Sequence, residues 1–157
     1  MSLESVRAFL AEQAPDLDIL ETPSSTATVA MAASEHGVLP AQIAKTLALM
    51  VGERPLLLVT AGDARLDNAK ARAVFGGKVK MMTAEEVVAL TGHPIGGVCP
   101  FGLATALTVH CDVSLRAFDV VIPAAGSPNS AVRLSPERMV DLADAQWVDV
   151  CRAPSAV

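Results

Sequence analysis

This chain contains no tyrosine, one tryptophan and four phenylalanines, so aromatic residues make up only 3 % of its 157 positions. A core built from it must therefore consist of Ala, Val, Leu, Ile and Met. Cysteine is scarce too. Cys99, Cys111 and Cys151 are an odd number with no CxxC spacing, which gives neither a disulfide framework nor a zinc signature. A reducing cytosolic setting fits that usage, and cytoplasmic localisation is the expectation. Positive charge is also in short supply: 12 Lys and Arg face 17 Asp and Glu, for a formal net charge of −5. That argues against a general nucleic-acid binder, which carries a basic surface. A local cluster, Lys70, Arg72, Lys78 and Lys80, is compatible with RNA contact and equally with a solvated charged turn. No window approaches the ~18 uninterrupted apolar residues of a membrane span, and the opening MSLESVRAFLAEQAPDL has no apolar stretch of signal-peptide type.

What is present is a folded chain of one-domain length. Apolar residues reach 52 %, far above a disordered composition. We expect one domain over residues 1–157, with no internal repeat, linker or low-complexity segment. Ser2 reads as the N-cap of a first helix with Val6, Phe9 and Leu10 on one face and Pro15 as its stop. Leu17–Leu20 reads as a short strand. Thr26–His36 reads as a helix ended by Gly37. The apolar run Ile43–Met50 reads as a buried strand, paired through a Gly52–Pro55 hairpin turn with Leu56–Thr60. Helices follow over Asp67–Phe75 and, capped by Thr83, over Ala84–Leu90, with a strand at Lys78–Met82 between them. Thr108–Cys111, Phe118–Ala124, Ala131–Leu134 and Trp147–Val150 read as strands. Pro136 opens a last helix to about Ala143, and the final PSAV is expected to fray. Hairpins mixed with crossovers point to an α+β fold around a mixed β-sheet with surrounding helices.

Three features carry chemical potential. Lys45 sits inside an apolar run, and burying an ammonium is costly unless it is paired. Such local conflicts concentrate at functional sites, although an edge-strand lysine can also snorkel to water. Strand alternation puts Lys45 and Leu47 on one face and Ala44 and Thr46 on the other. The stretch Gly92–Gly102 holds four glycines and two prolines, and its free backbone N–H groups can cradle an anion or a developing oxyanion. It contains no GxGxxG or P-loop pattern. His93 and Cys99 within it form a conceivable nucleophile pair with no identifiable orienting group. His36 and His110 lack metal-ligand spacing. Third, Gly126-Ser127-Pro128-Asn129-Ser130 precedes a strand, reading as a hairpin turn whose Asn129 and Ser130 can face a pocket.

Together and in this order, these features resemble the YbaK/EbsC family and the editing domain inserted in bacterial prolyl-tRNA synthetases. The resemblance rests on Pro40–Leu47 and on the Pro55–Gly62 strand with Asp63-Ala64-Arg65-Leu66-Asp67 and Lys70. It rests also on Thr91–Gly102, on Asp112 and on Gly126 with Asn129–Leu134. It implies a mixed-sheet α+β fold, no metal and no organic cofactor, and hydrolysis of the ester joining a wrong amino acid to tRNA. The family's lysine maps onto Lys45 and its GxxxP loop onto Gly96-Gly97-Val98-Cys99-Pro100, with Phe101 following. The implied partners are the 3′ end of an aminoacyl-tRNA and a possible aminoacyl-tRNA synthetase. The implied substrate is a small amino acid (Cys, Ala, Ser or Thr) on tRNA(Pro). By position near that site, Val29, Met31 and Leu47 are expected to line the substrate pocket with Val98, and Gly126, Asn129 and Ser130 to border it. The turn departs from the pattern: relatives often carry basic or glycine residues where this chain has Gly126-Ser127-Pro128-Asn129. A non-catalytic RNA- or synthetase-binding module on the same fold is the alternative.

Overall fold

The computed structural model describes residues 2–152. The PSAV tail lies outside them. The chain runs α1 (Ser2–Gln13), β1 (Leu20–Glu21), α2 (Val29–His36), a 3-10 turn, β2 (Ile43–Val51) and β3 (Arg54–Ala61). It continues through β4 (Arg65–Leu66), α3 (Asn68–Phe75), β5 (Val79–Met81), α4 (Ala84–Thr91) and β6 (Thr108–Asp112). After a second 3-10 turn come β7 (Ile122–Pro123), β8 (Ser130–Ala131), α5 (Pro136–Ala143), β9 (Gln146–Val148) and β10 (Cys151–Arg152). The architecture is α+β, as expected.

The main sheet has the order β5-β2-β3-β6-β9. The hairpin β2–β3 is antiparallel and pairs Val51 with Arg54, so the turn is the two residues Gly52-Glu53, with Gly52 at φ +65°. β3–β6 and β6–β9 are parallel, which makes the sheet mixed. Leu57, Leu58 and Val59 in β3 are completely buried, because a central strand covered on both faces admits no polar alternation.

Local chemistry sets the helix starts. Thr83 Oγ1 accepts from the Glu86 N–H while the Glu86 carboxylate accepts from the Thr83 N–H, a reciprocal capping box. Asp67 Oδ1 accepts from the N–H groups of Ala69 and Lys70. Ser2, expected as an N-cap, lies in α1 and donates its hydroxyl to the Gly126 carbonyl instead. The Val6/Leu10 face of α1 is buried, and Phe9 stacks on Phe101 at 5.9 Å.

Five expected elements are shorter or shifted. The second helix begins at Val29 with Thr28 as its N-cap, because the preceding backbone is extended and donates from Thr22 and Thr26 to the carbonyls of Asn129 and Pro128. β1 lies at Leu20–Glu21 rather than Leu17–Leu20, paired with β8. Phe118–Ala124 and Ala131–Leu134 contract to β7 and β8, because beyond them the two segments meet only in single bridges, Val121 to Leu134 and Ala124 to Ala131. The last expected strand, Trp147–Val150, becomes β9, which ends at Val148; the Val150 N–H is taken by Asp112 Oδ1 at 2.9 Å.

Candidate functional site

The register of β2 creates an interruption in the sheet. Along the edge opposite β3, β7 pairs with Ile43 and Ala44, and β5 pairs with Leu49–Val51. Among the described residues no strand covers Lys45–Leu47 on that edge. The Ala48 carbonyl accepts from the Met82 N–H at 2.9 Å, so even-numbered peptide groups of β2 face this side. The N–H and C=O of Thr46 therefore point into the gap.

A cavity of about 260 Å³ fills the gap. Its floor is the small-residue face of β2, Ala44, Thr46 and Ala48. Its walls come from Val29 and Ala32 of α2, Met81 and Met82, Val87 of α4, and Ile122. Gly96 and Val98 close one side with Thr26–Thr28, and Ser130 and Ala131 close another. The lining is mostly apolar. One exception is Thr46 Oγ1, a buried hydroxyl oxygen with no hydrogen-bond partner.

Lys45 is the cationic member of the wall. Its ammonium donates to the Ala64 carbonyl at 2.7 Å. Burial pushes its pKa below the ordinary 10.5, with the Asp63 carboxylate opposing and Arg65 reinforcing the shift. Desolvation is the larger effect, so this is a lysine held partly out of water.

The glycine-rich loop divides into an outer and an inner half. Gly96 adopts φ +89°, and a Cβ there would lie 2.8 Å from the Ala27 Cβ. Gly97 donates to the Pro94 carbonyl at 2.9 Å and accepts from the Gly126 N–H at 3.1 Å. The inner half is an anchor. Cys99, Phe101 and His93 are completely buried. His93 Nε2 lies 2.8 Å from the Phe101 carbonyl, which can only accept, so this nitrogen carries the proton. Cys99 Sγ lies 3.6 Å from the same nitrogen. That geometry leaves no free base for the thiol, and burial pushes the thiol up to about 12. The His93/Cys99 pair is packing.

The turn after β7 is held by its own polar groups. Asn129 Nδ2 donates to the Thr22 carbonyl at 2.9 Å, and Ser127 Oγ lies 2.7 Å from Ser130 Oγ. A Cβ on Gly126 would meet the Ser2 carbonyl at 2.6 Å.

Of the residues singled out from sequence, Val29, Lys45, Gly96, Val98 and Ser130 meet at the cavity. Gly97, Cys99, Pro100, Phe101, Gly126 and Asn129 do not line it. Met31 and Leu47 do not reach it: Met31 lies on an exposed part of α2, and Leu47 packs on the main core from the opposite face of β2. Sequence reasoning missed Thr46, Met81, Met82, Val87 and Ile122. For Thr46 a signal existed, in the alternation of small residues Ala44-x-Thr46-x-Ala48. Among the described residues no group of three or more His, Cys, Asp or Glu is placed to hold a metal ion, and no helix is long and apolar enough to cross a membrane.

Comparison with known proteins follows this geometry. The model of the aminoacyl-tRNA editing domain matches residues 23–142, a span that contains every cavity wall named above. The uncharacterized protein YwhH of Bacillus subtilis is 46 % identical over 154 residues, covering 97 % of this chain and 98 % of that one. EbsC of Enterococcus faecalis, a candidate Cys-tRNA(Pro)/Cys-tRNA(Cys) deacylase, is 28 % identical over 121 residues, covering 75 % of this chain and 73 % of that one. The proline–tRNA ligase of Citrifermentans bemidjiense is 30 % identical over 98 residues, 62 % of this chain and 17 % of the ligase. Among solved structures, a candidate trans-editing enzyme for prolyl-tRNA synthetase superposes with a TM-score of 0.90 at 34 % identity, covering 97 % of this chain and 98 % of the other. The chain belongs to the aminoacyl-tRNA editing domain family.

Proposed function

We propose that this protein is a hydrolase that cleaves the ester bond of a mischarged aminoacyl-tRNA in trans, acting in the cytoplasm on a small amino acid carried by tRNA(Pro). The observation that carries the reading is the small, mostly apolar chamber that has Lys45, Gly96 and Val98 in its wall. The amino-acid side chain enters the chamber between α2, Met82 and Val87. The ester lies at the Lys45 end. Water attacks the carbonyl carbon, with the neighbouring ribose 2′-OH placed to relay its proton; no protein nucleophile takes part. The tetrahedral oxyanion is stabilised by the Lys45 ammonium and by loop N–H groups. The Gly97 N–H is already committed to Pro94, so Gly96 and Val98 carry the loop's share. Such donors are worth about 10²–10³ in rate each. With water as the net reactant, collapse breaks the acyl C–O bond, leaving the free amino acid and a tRNA 3′-terminal hydroxyl.

Chamber size supplies the selection. One methylene is worth only about 1–3 kcal/mol to a binding site, so a second sieve of this kind adds discrimination that a synthetase lacks. The similarity to EbsC and to segments of proline–tRNA ligases supports tRNA(Pro) as the carrier.

The test is a deacylation panel with Cys-, Ala-, Ser-, Thr- and Pro-tRNA(Pro), run beside Lys45→Ala. Release of one amino acid, lost in Lys45→Ala, is the expected result and names the substrate. Release from none of them, with tRNA or synthetase still bound, would replace the enzyme by a binding module.

A further inference from the structure

Lys45 also borders a second, wider cavity of about 670 Å³, with Gly62, Asp63, Ala64, Arg65 and Arg152. Arg65 and Arg152 occupy opposed positions in the antiparallel β4–β10 ladder. Opposed residues in such a ladder project from the same face, and like charges there repel. The arrangement is held in place: the Asp67 N–H donates to the Val150 carbonyl at 2.8 Å, and Lys70 Nζ lies 3.2 Å from the Cys151 carbonyl and from Asp149 Oδ1. Among the described residues neither guanidinium takes part in an ion pair. Three cations thus face one cavity against one carboxylate, in a chain whose net charge is −5. A fold gains nothing for its stability from two unpaired arginines set opposite each other, and a bound anion turns that repulsion into a bidentate clamp.

We infer that Arg65 and Arg152 form, with Lys45, an anion subsite that takes a backbone phosphate of the single-stranded 3′ end of RNA. The inference rests on the deacylase reading in one respect: Lys45 is shared by both cavities, so a phosphate held here belongs to the nucleotide whose ester sits at the chamber. It gives an acidic protein a local means of gripping RNA without a basic surface. It also makes Lys45 the junction between the acyl and phosphate ends of one substrate.

The experiment measures equilibrium binding of a fluorescein-labelled, uncharged oligoribonucleotide ending in CCA to the wild-type protein, Arg65→Gln, Arg152→Gln and the double variant across a salt series. The expected result is an affinity loss of about tenfold in the double variant at low salt. The slope of log K against log salt should fall in magnitude by about 0.7 for each single-strand phosphate contact removed. Melting temperature should not fall in any variant, because an opposed like-charge pair has been relieved. Oligonucleotide binding with the same affinity and slope in all four proteins would overturn the subsite. Binding of inorganic phosphate but not of the oligonucleotide would overturn its assignment to RNA. Because the probe carries no amino acid, this outcome is independent of turnover. A protein that deacylates nothing yet loses oligonucleotide affinity on substitution keeps the subsite and loses the enzyme. One that deacylates while binding RNA identically in all variants keeps the enzyme and loses the subsite.

Discussion

Lys45 Nζ and the Ala64 carbonyl oxygen are 2.7 Å apart, a hydrogen bond that ties the middle of β2 to the loop following β3. The bond stations a half-buried cation on the wall between two cavities. It satisfies one of the ammonium's three donors and leaves two for a ligand.

The first prediction concerns pH. Desolvation, the largest influence on Lys45, lowers its pKa from 10.5. If the charged form serves the reaction, the enzymatic rate, corrected for spontaneous ester hydrolysis, falls with rising pH before an ordinary lysine would titrate. Stability responds with the opposite sign. Between the lowered value and 10.5 the unfolded chain binds more protons at this position than the folded one, so Lys45's contribution to stability rises with pH across that window. Rate and melting temperature measured along one pH series should therefore diverge in the wild type. The divergence should vanish in Lys45→Ala, which keeps its fold and loses about 10²–10³ or more in rate. A wild-type rate that stays level to pH 10.5 would remove the ammonium from the mechanism.

Gly97 and Ser127 give the second. A Cβ on Gly97 would stand 2.7 Å from the Ser127 nitrogen and 2.8 Å from its Cα and carbonyl carbon. These are backbone atoms, so no rotamer change relieves the clash. Gly97→Ala should force the loop and the turn apart at a cost of about 1–3 kcal/mol, a drop of about 2–4 °C in melting temperature per kcal/mol. Deacylation should fall with it, because the adjacent Gly96 and Val98 line the chamber. Calorimetry and turnover on the same preparation check both, and an unchanged melting temperature would contradict the close approach.

Cys99 provides the third. Cys99→Ala keeps the peptide group that belongs to the loop and deletes only a buried thiol pushed up to about 12. Turnover should stay within a few-fold of the wild type, and iodoacetamide should modify Cys99 in the native protein only on the timescale of unfolding. Abolished turnover in a folded Cys99→Ala protein would reinstate a cysteine mechanism.

These cases mark what the sequence discloses. The β2–β3 hairpin, the Thr83–Glu86 box and the oddity of Lys45 are written within a few neighbouring positions, where periodicity, capping chemistry and local conflict apply. The chamber is different. Met82 and Val87 reach it from one segment and Ile122 from another, both dozens of residues from β2, and each reads locally as ordinary core. The gap that makes room for it follows from two strands stopping short on one edge, a matter of register between distant pieces. Of the basic cluster visible in the sequence, Lys70 is spent on Asp149 and the Cys151 carbonyl. The opposed Arg65 and Arg152 lie 87 positions apart and give no sign of their meeting. Met31 shows the limit from the other side, since it neighbours chamber residues in sequence yet points away.

Thr46 yields the last prediction. Its buried Oγ1 has no hydrogen-bond partner, and its peptide group faces the uncovered edge of β2. A buried hydroxyl with no partner in the protein, which only solvent in the chamber can satisfy, costs up to about 1–3 kcal/mol relative to an apolar group of the same shape. Thr46→Val should therefore raise the melting temperature by about 2–4 °C for each kcal/mol recovered. A stability cost retained in a cavity wall is the pattern expected where function needs the polar group. The same substitution should accordingly lower kcat/KM by about tenfold, the worth of one hydrogen bond to substrate, while Thr46→Ser, which retains the hydroxyl, keeps most of the rate. Running both variants through the aminoacyl-tRNA panel shows what the hydroxyl meets. A loss confined to Ser- or Thr-tRNA assigns it to a side-chain hydroxyl of the substrate. An equal loss on every ester assigns it to the amino or carbonyl group that all of them share. A more stable Thr46→Val protein with undiminished turnover on every ester would show that this oxygen meets no substrate at all.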